Sequence, residues 1–316
     1  AAIGKPVSDF GARRAHNVDA AVYGARAAYI GGAVGTATVL AGEMFDIPIS
    51  GTMAHSWVMC FDSEYEAFKA YAEGYPDSTV LLVDTYDVLK SGVPNAIRIA
   101  EEILQPMGKR LKGIRLDSGD LAYLSKEARK LLDDAGLQDC MIVASNSLDE
   151  YTITSINRQE ARIDSYGVGE KLITSYTSPV FGAVYKLAAI KKDGSFVPKI
   201  KISETIEKIT NPGMKEIYRV YDKDGKAIAD YLTVQGEEID TSHPVRYVDP
   251  KHYWKDRSFV DCTFKPLRKQ IFRNGELIYK LPALEEIRSY VKNQLECEIW
   301  KEEQRFENAH PHYLDM

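Results

Sequence analysis

Between residues 18 and 185 the hydrophobic and polar positions repeat one arrangement: a short apolar run, a polar turn, then a longer stretch with helical spacing. The apolar runs predict strands near residues 47–54, 79–84, 111–116, 140–145 and 162–167. The stretches between them, 64–75, 92–104, 121–135 and 148–159, predict helices. From Ser125 to Leu132 the apolar residues recur at the spacing of a helix laid on a sheet. Strands and helices alternating at this interval mean right-handed crossovers and a parallel sheet. A run of such units favours a (β/α) barrel, complete or irregular, over an open sheet. No Gly-x-Gly-x-x-Gly stretch opens the first crossover, which counts against a dinucleotide-binding domain.

After about residue 186 the period shortens. Lys191-Lys-Asp-Gly, Tyr221-Asp-Lys-Asp-Gly and Arg273-Asn-Gly each sit between alternating strand-like runs, the signature of hairpins. Residues 283–301 read as one amphipathic helix. The fold expected is therefore α/β: a partial or irregular (β/α) barrel over residues 1–190, followed by a β-rich C-terminal domain over 191–316 that ends in a helix. Asp222-Lys-Asp-Gly superficially suggests a calcium loop, but it lacks the ligand series and the closing glutamate. A hairpin turn is the better reading.

Composition changes this picture little. Of 316 residues, 45% are hydrophobic and 27% charged, an ordinary globular balance. A net charge of −6 disfavours a general nucleic-acid binder, which needs a clustered cationic surface. No apolar stretch is long enough to span a membrane, and the opening Ala-Ala-Ile-Gly-Lys-Pro does not resemble a signal peptide. Cys60, Cys140, Cys262 and Cys297 are scattered, without a Cys-x-x-Cys pair. They read as reduced thiols of a cytoplasmic protein. His310 and His312 lie in a polar tail and read as solvated.

Chemistry concentrates where the expected strands end. The first runs into Gly51-Thr-Met-Ala-His55-Ser and the second into Asp84-Thr-Tyr-Asp87. The third ends at Arg115-Leu-Asp117-Ser-Gly-Asp120, the fourth at Ser145-Asn146, and the fifth at Gly167-Val-Gly169-Glu170-Lys171. Asp84, Asp117 and Ser145 are natural helix caps, and for a single turn capping is the better reading. Five consecutive turns carrying His, Asp, Arg, Asn and paired glycines favour a shared site, because parallel barrel strands deliver their C-terminal ends to one face. Gly167 and Gly169 leave backbone N–H groups to surround an anion. Arg115 offers a planar fork to carboxylate or phosphate. Asp84, Asp87, Asp117 and Asp120 supply hard oxygens suited to magnesium on a diphosphate.

Several long stretches resemble the nicotinate phosphoribosyltransferase family. They are Asp9-Phe-Gly-Ala-Arg13-Arg14-Ala-His, Gly51-Thr-Met-Ala-His55-Ser, Gly113-Ile-Arg-Leu-Asp-Ser-Gly-Asp120, Gly182-Ala-Val-Tyr-Lys186-Leu and Ile209-Thr-Asn-Pro-Gly-Met-Lys215. They follow the family's order over roughly residues 1–220. The resemblance implies a partial, irregular barrel preceded by an N-terminal α/β domain, with which this chain does not begin. It further implies a homodimer with sites at the subunit interface, and nicotinic acid, phosphoribosyl diphosphate and ATP as substrates. By motif, His55 resembles the histidine that ATP phosphorylates, Phe10 the ring that stacks on the pyridine, and Arg13 the cation near its carboxylate. Thr52 and Arg115 line the nicotinate and ribose site, Asp117 binds ribose or magnesium, and Asn146, Gly167 and Gly169 hold the 5-phosphate end. Asp84 and Asp87 are the expected metal ligands. Glu170 sits badly beside a phosphate, since two anions repel; Thr174 is the substitute for that end of the site. Nicotinamide-using relatives carry an aspartate in a Gly-Thr-Asp-Thr stretch, whereas here it is Gly35-Thr36-Ala37-Thr38, so the acid is the expected substrate.

Two other readings remain at this level. One is a metal-assisted lyase or aldolase on the same barrel, with His55 as base. The other is a non-catalytic dimerisation or regulatory fragment.

Overall fold

The computed structural model describes residues 1–205, 208–249, 253–299 and 314–315. The chain divides into two units, Ala1–Val180 and Phe181–Met316. The boundary expected from sequence is near residue 190. The far end of the expected 283–301 helix, together with His310 and His312, lies outside the described residues. No described helix is long and apolar enough to cross a membrane.

The first unit opens with Val7–Asp9 (β1), Val18–Ile30 (α1), Gly35–Thr36 (β2) and Val39–Phe45 (α2). His55–Met59 (α3), Glu64–Gly74 (α4), Val80–Leu82 (β3) and Val93–Ile99 (α5) follow. The unit then continues through Gly113–Leu116 (β4), Leu121–Asp134 (α6), Met141–Ala144 (β5), Glu150–Arg158 (α7), Ser165–Val168 (β6) and Glu170–Ile173 (α8). All the strand pairings are parallel, in the order β2-β1-β6-β5-β4-β3. Read as a circle, that order is the strand sequence of a (β/α) barrel opened between β2 and β3. It is a half-barrel.

Burial explains the strands. Leu81, Leu82, Ile114, Leu116, Ile142 and Tyr166 are at most 1% exposed, because helices cover the sheet as parallel sheets require. On α6 the buried residues Leu121, Ser125, Ala128 and Leu132 form the single stripe that the sequence spacing implied.

One expected strand is not formed. Residues 47–54 contribute a single parallel bridge, Ile49 to Thr36, flanked by hydrogen bonds from Thr36 N to Pro48 O and from Ser50 N to Thr36 O. Pro48 has no N–H to extend the ladder, and the chain then leaves for α3. The strands at this end of the sheet are β1 and β2, which the periodicity missed. They are two or three residues long, and β1 pairs with β6, some 160 positions away.

The second unit is antiparallel except for Leu314–Asp315, which pairs in parallel with Ala227–Val234. Ala189–Lys192 (β7) pairs with Ser195–Pro198 (β8), and Lys215–Tyr221 (β9) with Ala227–Val234 (β10). Val245–Val248 (β11) pairs with Asp256–Phe259 (β12), Thr263–Pro266 (β13) adds to β9, and Phe272–Arg273 (β14) pairs with Glu276–Leu277 (β15). Leu284–Asn293 (α9) follows. All three hairpins anticipated from sequence are formed. Asp193-Gly194 and Asn274-Gly275 take the left-handed conformations (φ 51° and 85° in both) that a two-residue hairpin turn needs. Asp222 uses its carboxylate on the turn itself, accepting from the amides of Asp224 and Lys226 at 2.9 Å each.

Candidate active site

The C-terminal ends of the half-barrel strands enclose a cavity of about 350 Å³. Phe10, Arg13, Thr52, His55, Arg115, Asp117, Asn146, Gly167 and Gly169 all line it. They come from turns far apart in sequence, and the strand order gathers them on one rim. Arg14, Ala37, Ser145, Ser147 and Glu170 complete much of the wall.

Hydrogen bonds tie neighbouring strand ends together sideways. Arg115, at 16% side-chain exposure, donates from Nε to Ser145 Oγ (2.8 Å), from Nη1 to Thr52 Oγ1 (2.9 Å) and from Nη2 to Asp117 Oδ1 (3.0 Å). Ser145 Oγ donates in turn to Asp117 Oδ1. Of five guanidinium N–H groups, these bonds leave two for a ligand. The same guanidinium lies 5.4 Å from the centre of the Phe10 ring, a cation–π contact that fixes ring and fork together. Asp84, Asp117 and Ser145, each suited to cap a helix, instead bond across strands. At the second and third turns the capping is done by neighbours: Asp87 accepts from the amides of Leu89 and Lys90 at the start of the helical turn Val88–Gly92, and Asp120 accepts from Tyr123 N at the start of α6.

His55 is the first residue of α3, and its Nε2 lies 3.0 Å from Asp84 Oδ1. The Asp84 carboxylate is 1% exposed and the imidazole 40%. The other Asp84 oxygen accepts from Ser118 Oγ at 2.5 Å and from Asp117 N at 3.3 Å. Both oxygens of Asp84 are therefore engaged. Asp84 reaches the cavity only through His55, and Asp87 is turned to its own helix start. Among the described residues no three His, Cys, Asp or Glu side chains are grouped to hold a metal ion.

The two glycines after β6 have a visible packing reason. A Cβ on Gly167 would stand 2.4 Å from the Phe10 ring, and one on Gly169 3.1 Å from the Phe10 carbonyl oxygen. They let the end of β1 press against the end of β6. Beside them, Glu170 is not left as a bare anion facing the cavity, because Arg14 Nη1 meets its carboxylate at 3.0 Å. Thr174 donates its hydroxyl to Glu170 O, within its own turn. Across the rim, Asn146 and Ser147 hold φ of 91° and 47°, a left-handed pair without glycine. Strain of this kind persists where the surroundings over-determine it, typically at a binding site. Lys171 pairs with Asp149, the cap of α7, and joins these two turns. Burial alone would raise the Asp149 carboxyl, but Lys171 and the Thr152 amide hold it down to about 2.

Sequence reasoning placed Ser145 at a site turn without an individual role, and gave Arg14 and Asp9 none. Asp9 is 1% exposed and accepts from Gly11 N at 2.9 Å and Thr36 Oγ1 at 2.8 Å. Asp9 opens the Asp9-Phe-Gly-Ala-Arg13 stretch, but nothing in that stretch marks its carboxylate as buried.

Fold and site together define an α/β half-barrel protein whose strand-end cavity combines an aromatic ring, three guanidinium groups and a carboxylate-held histidine. Residues 6–243 match the model of the nicotinate phosphoribosyltransferase (NAPRTase) family, and residues 214–316 that of the nicotinate phosphoribosyltransferase C-terminal domain. The chain belongs to the nicotinate phosphoribosyltransferase family. It is 47% identical over 311 residues to the nicotinate phosphoribosyltransferase of Bacillus subtilis (strain 168), an alignment covering 98% of this chain and 62% of that protein. For the enzyme of that name from Dictyostelium discoideum the identity is 37% over 365 residues, covering 99% and 61%. The crystal structure of human nicotinic acid phosphoribosyltransferase superposes with a TM-score of 0.80 at 25% identity, covering 98% of this chain and 67% of that one. The nicotinate-nucleotide pyrophosphorylase from Pyrococcus furiosus gives 0.62 at 26% identity, covering 93% and 66%. The chain spans about three fifths of the length of these curated relatives.

Proposed function

We propose that this protein transfers the phosphoribosyl group of phosphoribosyl diphosphate to the ring nitrogen of nicotinic acid. The products are nicotinate mononucleotide and diphosphate, and ATP hydrolysis is coupled to the reaction through a phosphohistidine at His55. The observation that carries this reading is the single cavity shared by Phe10, Arg13, Arg115 and His55. Membership of the family supports it.

In this reading the pyridine lies on Phe10 and its carboxylate meets Arg13, which has no ion-pair partner among the described residues. Ala37 presents no carboxylate to repel the acid. Thr52 and Arg115 hold the ribose side, while Asn146 and the turn at Gly167 and Gly169 hold the 5-phosphate end. The ring nitrogen attacks C1 as the C1–O bond to diphosphate breaks, and the electron pair leaves with diphosphate. Positive charge at C1 is offset by Asp117, and alignment supplies much of the rate. Nicotinate needs no general base, which leaves His55 for ATP. With Asp84 accepting from Nε2–H, the lone pair on Nδ1 attacks the γ-phosphorus and ADP departs. Water later cleaves the N–P bond and releases phosphate. The tautomer follows from the Asp84 contact.

Magnesium enters as the counterion of diphosphate and supplies charge neutralisation when bound. Asp84 and Asp87 do not fit as its ligands, since one is filled by hydrogen bonds and the other caps a helix. Asp117 Oδ2, without a hydrogen-bond partner among the described residues, is the cavity oxygen that would hold it; one carboxylate plus substrate phosphates is a common magnesium arrangement. The protein acts, on this reading, as a cytoplasmic homodimer.

The test is a turnover assay on the full-length protein with nicotinate, phosphoribosyl diphosphate and ATP. Formation of nicotinate mononucleotide with ATP-dependent yield is expected. Equal use of nicotinamide, or no nucleotide product, overturns the reading.

A further inference from the structure

We infer that Asp9 is a positioning residue for the pyridine acceptor, setting Phe10, Arg13 and Ala37 through one buried carboxylate; this rests on the function proposed above. The side chain sits at the end of β1 and is 1% exposed. Its Oδ1 accepts from Gly11 N (2.9 Å) and its Oδ2 from the Thr36 hydroxyl (2.8 Å). The Thr36 oxygen accepts in turn from Thr38 N (2.9 Å), and the Asp9 carbonyl accepts from Ala37 N (2.8 Å). One residue thus holds the turn after Phe10 on one strand and the turn through Ala37 on the next.

The residues so held are those facing the ligand. Phe10 follows Asp9, and Ala37 follows Thr36; both line the cavity. The bond to Gly11 N bends the chain into the short turn Ala12–Arg14, which brings Arg13 to the same wall. Phe10 is pressed from behind by Gly167, so its ring has little room to recover if the turn loosens. Burying a carboxylate on neutral donors is expensive unless every bond is made. Sheet pairing alone does not need it, because β1 already pairs along its length with β2 and β6. The carboxylate serves the turns, and the turns carry the site.

The test uses Asp9→Asn, Thr36→Val and Thr36→Ser in the full-length protein. Asn keeps an acceptor for Gly11 N but places an amide against the Thr36 hydroxyl, and Val deletes both hydroxyl bonds at nearly constant volume. Asp9→Asn and Thr36→Val should raise KM for nicotinate about tenfold, the loss of one good hydrogen bond. They should leave kcat within about threefold and KM for phosphoribosyl diphosphate unchanged. Thr36→Ser should restore the wild-type KM. Amide exchange should quicken at Gly11 and Thr38 while α6 stays protected, which separates local loosening from unfolding. An unchanged nicotinate KM in both variants overturns the inference, as does a uniform loss of kcat, both KM values and α6 protection. Wild-type protein that does not ribosylate nicotinate overturns the functional reading itself, a result that the wild-type assay gives before any variant is made.

Discussion

The imidazole of His55 shows how one contact decides a side chain's chemistry. Asp84 is almost wholly buried and holds Nε2, so the ring presents Nδ1 outward. His55→Ala should abolish acid-labile label from γ-labelled ATP, whereas Asp84→Asn should slow labelling by about 10²-fold or more, since it leaves the ring in the wrong tautomer. Labelling unaffected by His55→Ala would remove the histidine from the scheme. Ala37 tests acceptor choice in the same way. Placing a carboxylate there (Ala37→Asp) should cut kcat/KM for nicotinate by about tenfold relative to nicotinamide, like charges being repelled in a partly closed site. The thiols give an independent check on packing. Burial pushes the Cys140 thiol up to about 12, against a minor opposing pull from Arg129. Exposed Cys60 and Cys297 should alkylate in minutes at pH 8, and Cys140 only on unfolding.

Between elements, the strut from Lys171 to Asp149 joins the turns after β5 and β6. The carboxyl titrates near 2 in the folded chain and near ~3.9 when unfolded. Because the folded value is depressed, the strut's contribution is fully present above about pH 4 and is lost as pH falls towards 2, where the unfolded chain takes up the proton first. Asp149→Asn should therefore flatten the acid limb of a Tm-against-pH curve in that window. A limb identical to wild type would show that other carboxylates govern it. Gly167→Ala is a packing test at the same rim. Its Cβ would press on the Phe10 ring, so a cost of about 1–3 kcal/mol in stability and a weaker nicotinate KM are expected.

At the scale of the whole molecule, the half-barrel and the antiparallel unit have separate cores. The first packs around Phe68, Leu82, Ile114 and Ile142, the second around Val220, Ala229 and Phe259. Between them runs a stretch without regular structure, in which Phe181 and Tyr185 are almost fully exposed. Brief chymotrypsin treatment should cut there before it cuts within either core, since exposed irregular backbone enters a protease most readily. First cuts inside β3–β6 would contradict the division.

What the chain determined by itself is whatever depends on near neighbours. The α6 stripe, the three hairpin turns and the β3–β6 runs follow from local spacing and from residues whose φ preferences are intrinsic. The gathering of Arg115, Asp117 and Asn146 on one rim follows from alternation alone, because parallel strands must end on the same side. Tertiary structure decided what depends on partners distant in sequence. Strand β1 exists because β6 completes it, Gly167 is glycine because Phe10 lies on it, and Asp84 serves His55 where a local reading makes it a cap. A buried carboxylate is stable only when its donors arrive; Asp84 takes its partners from other turns of the chain, and Asp9 takes one from its own turn and the other, the Thr36 hydroxyl, from the next strand. Local sequence carries propensity, whereas desolvation and close packing are settled only when the distant surfaces meet.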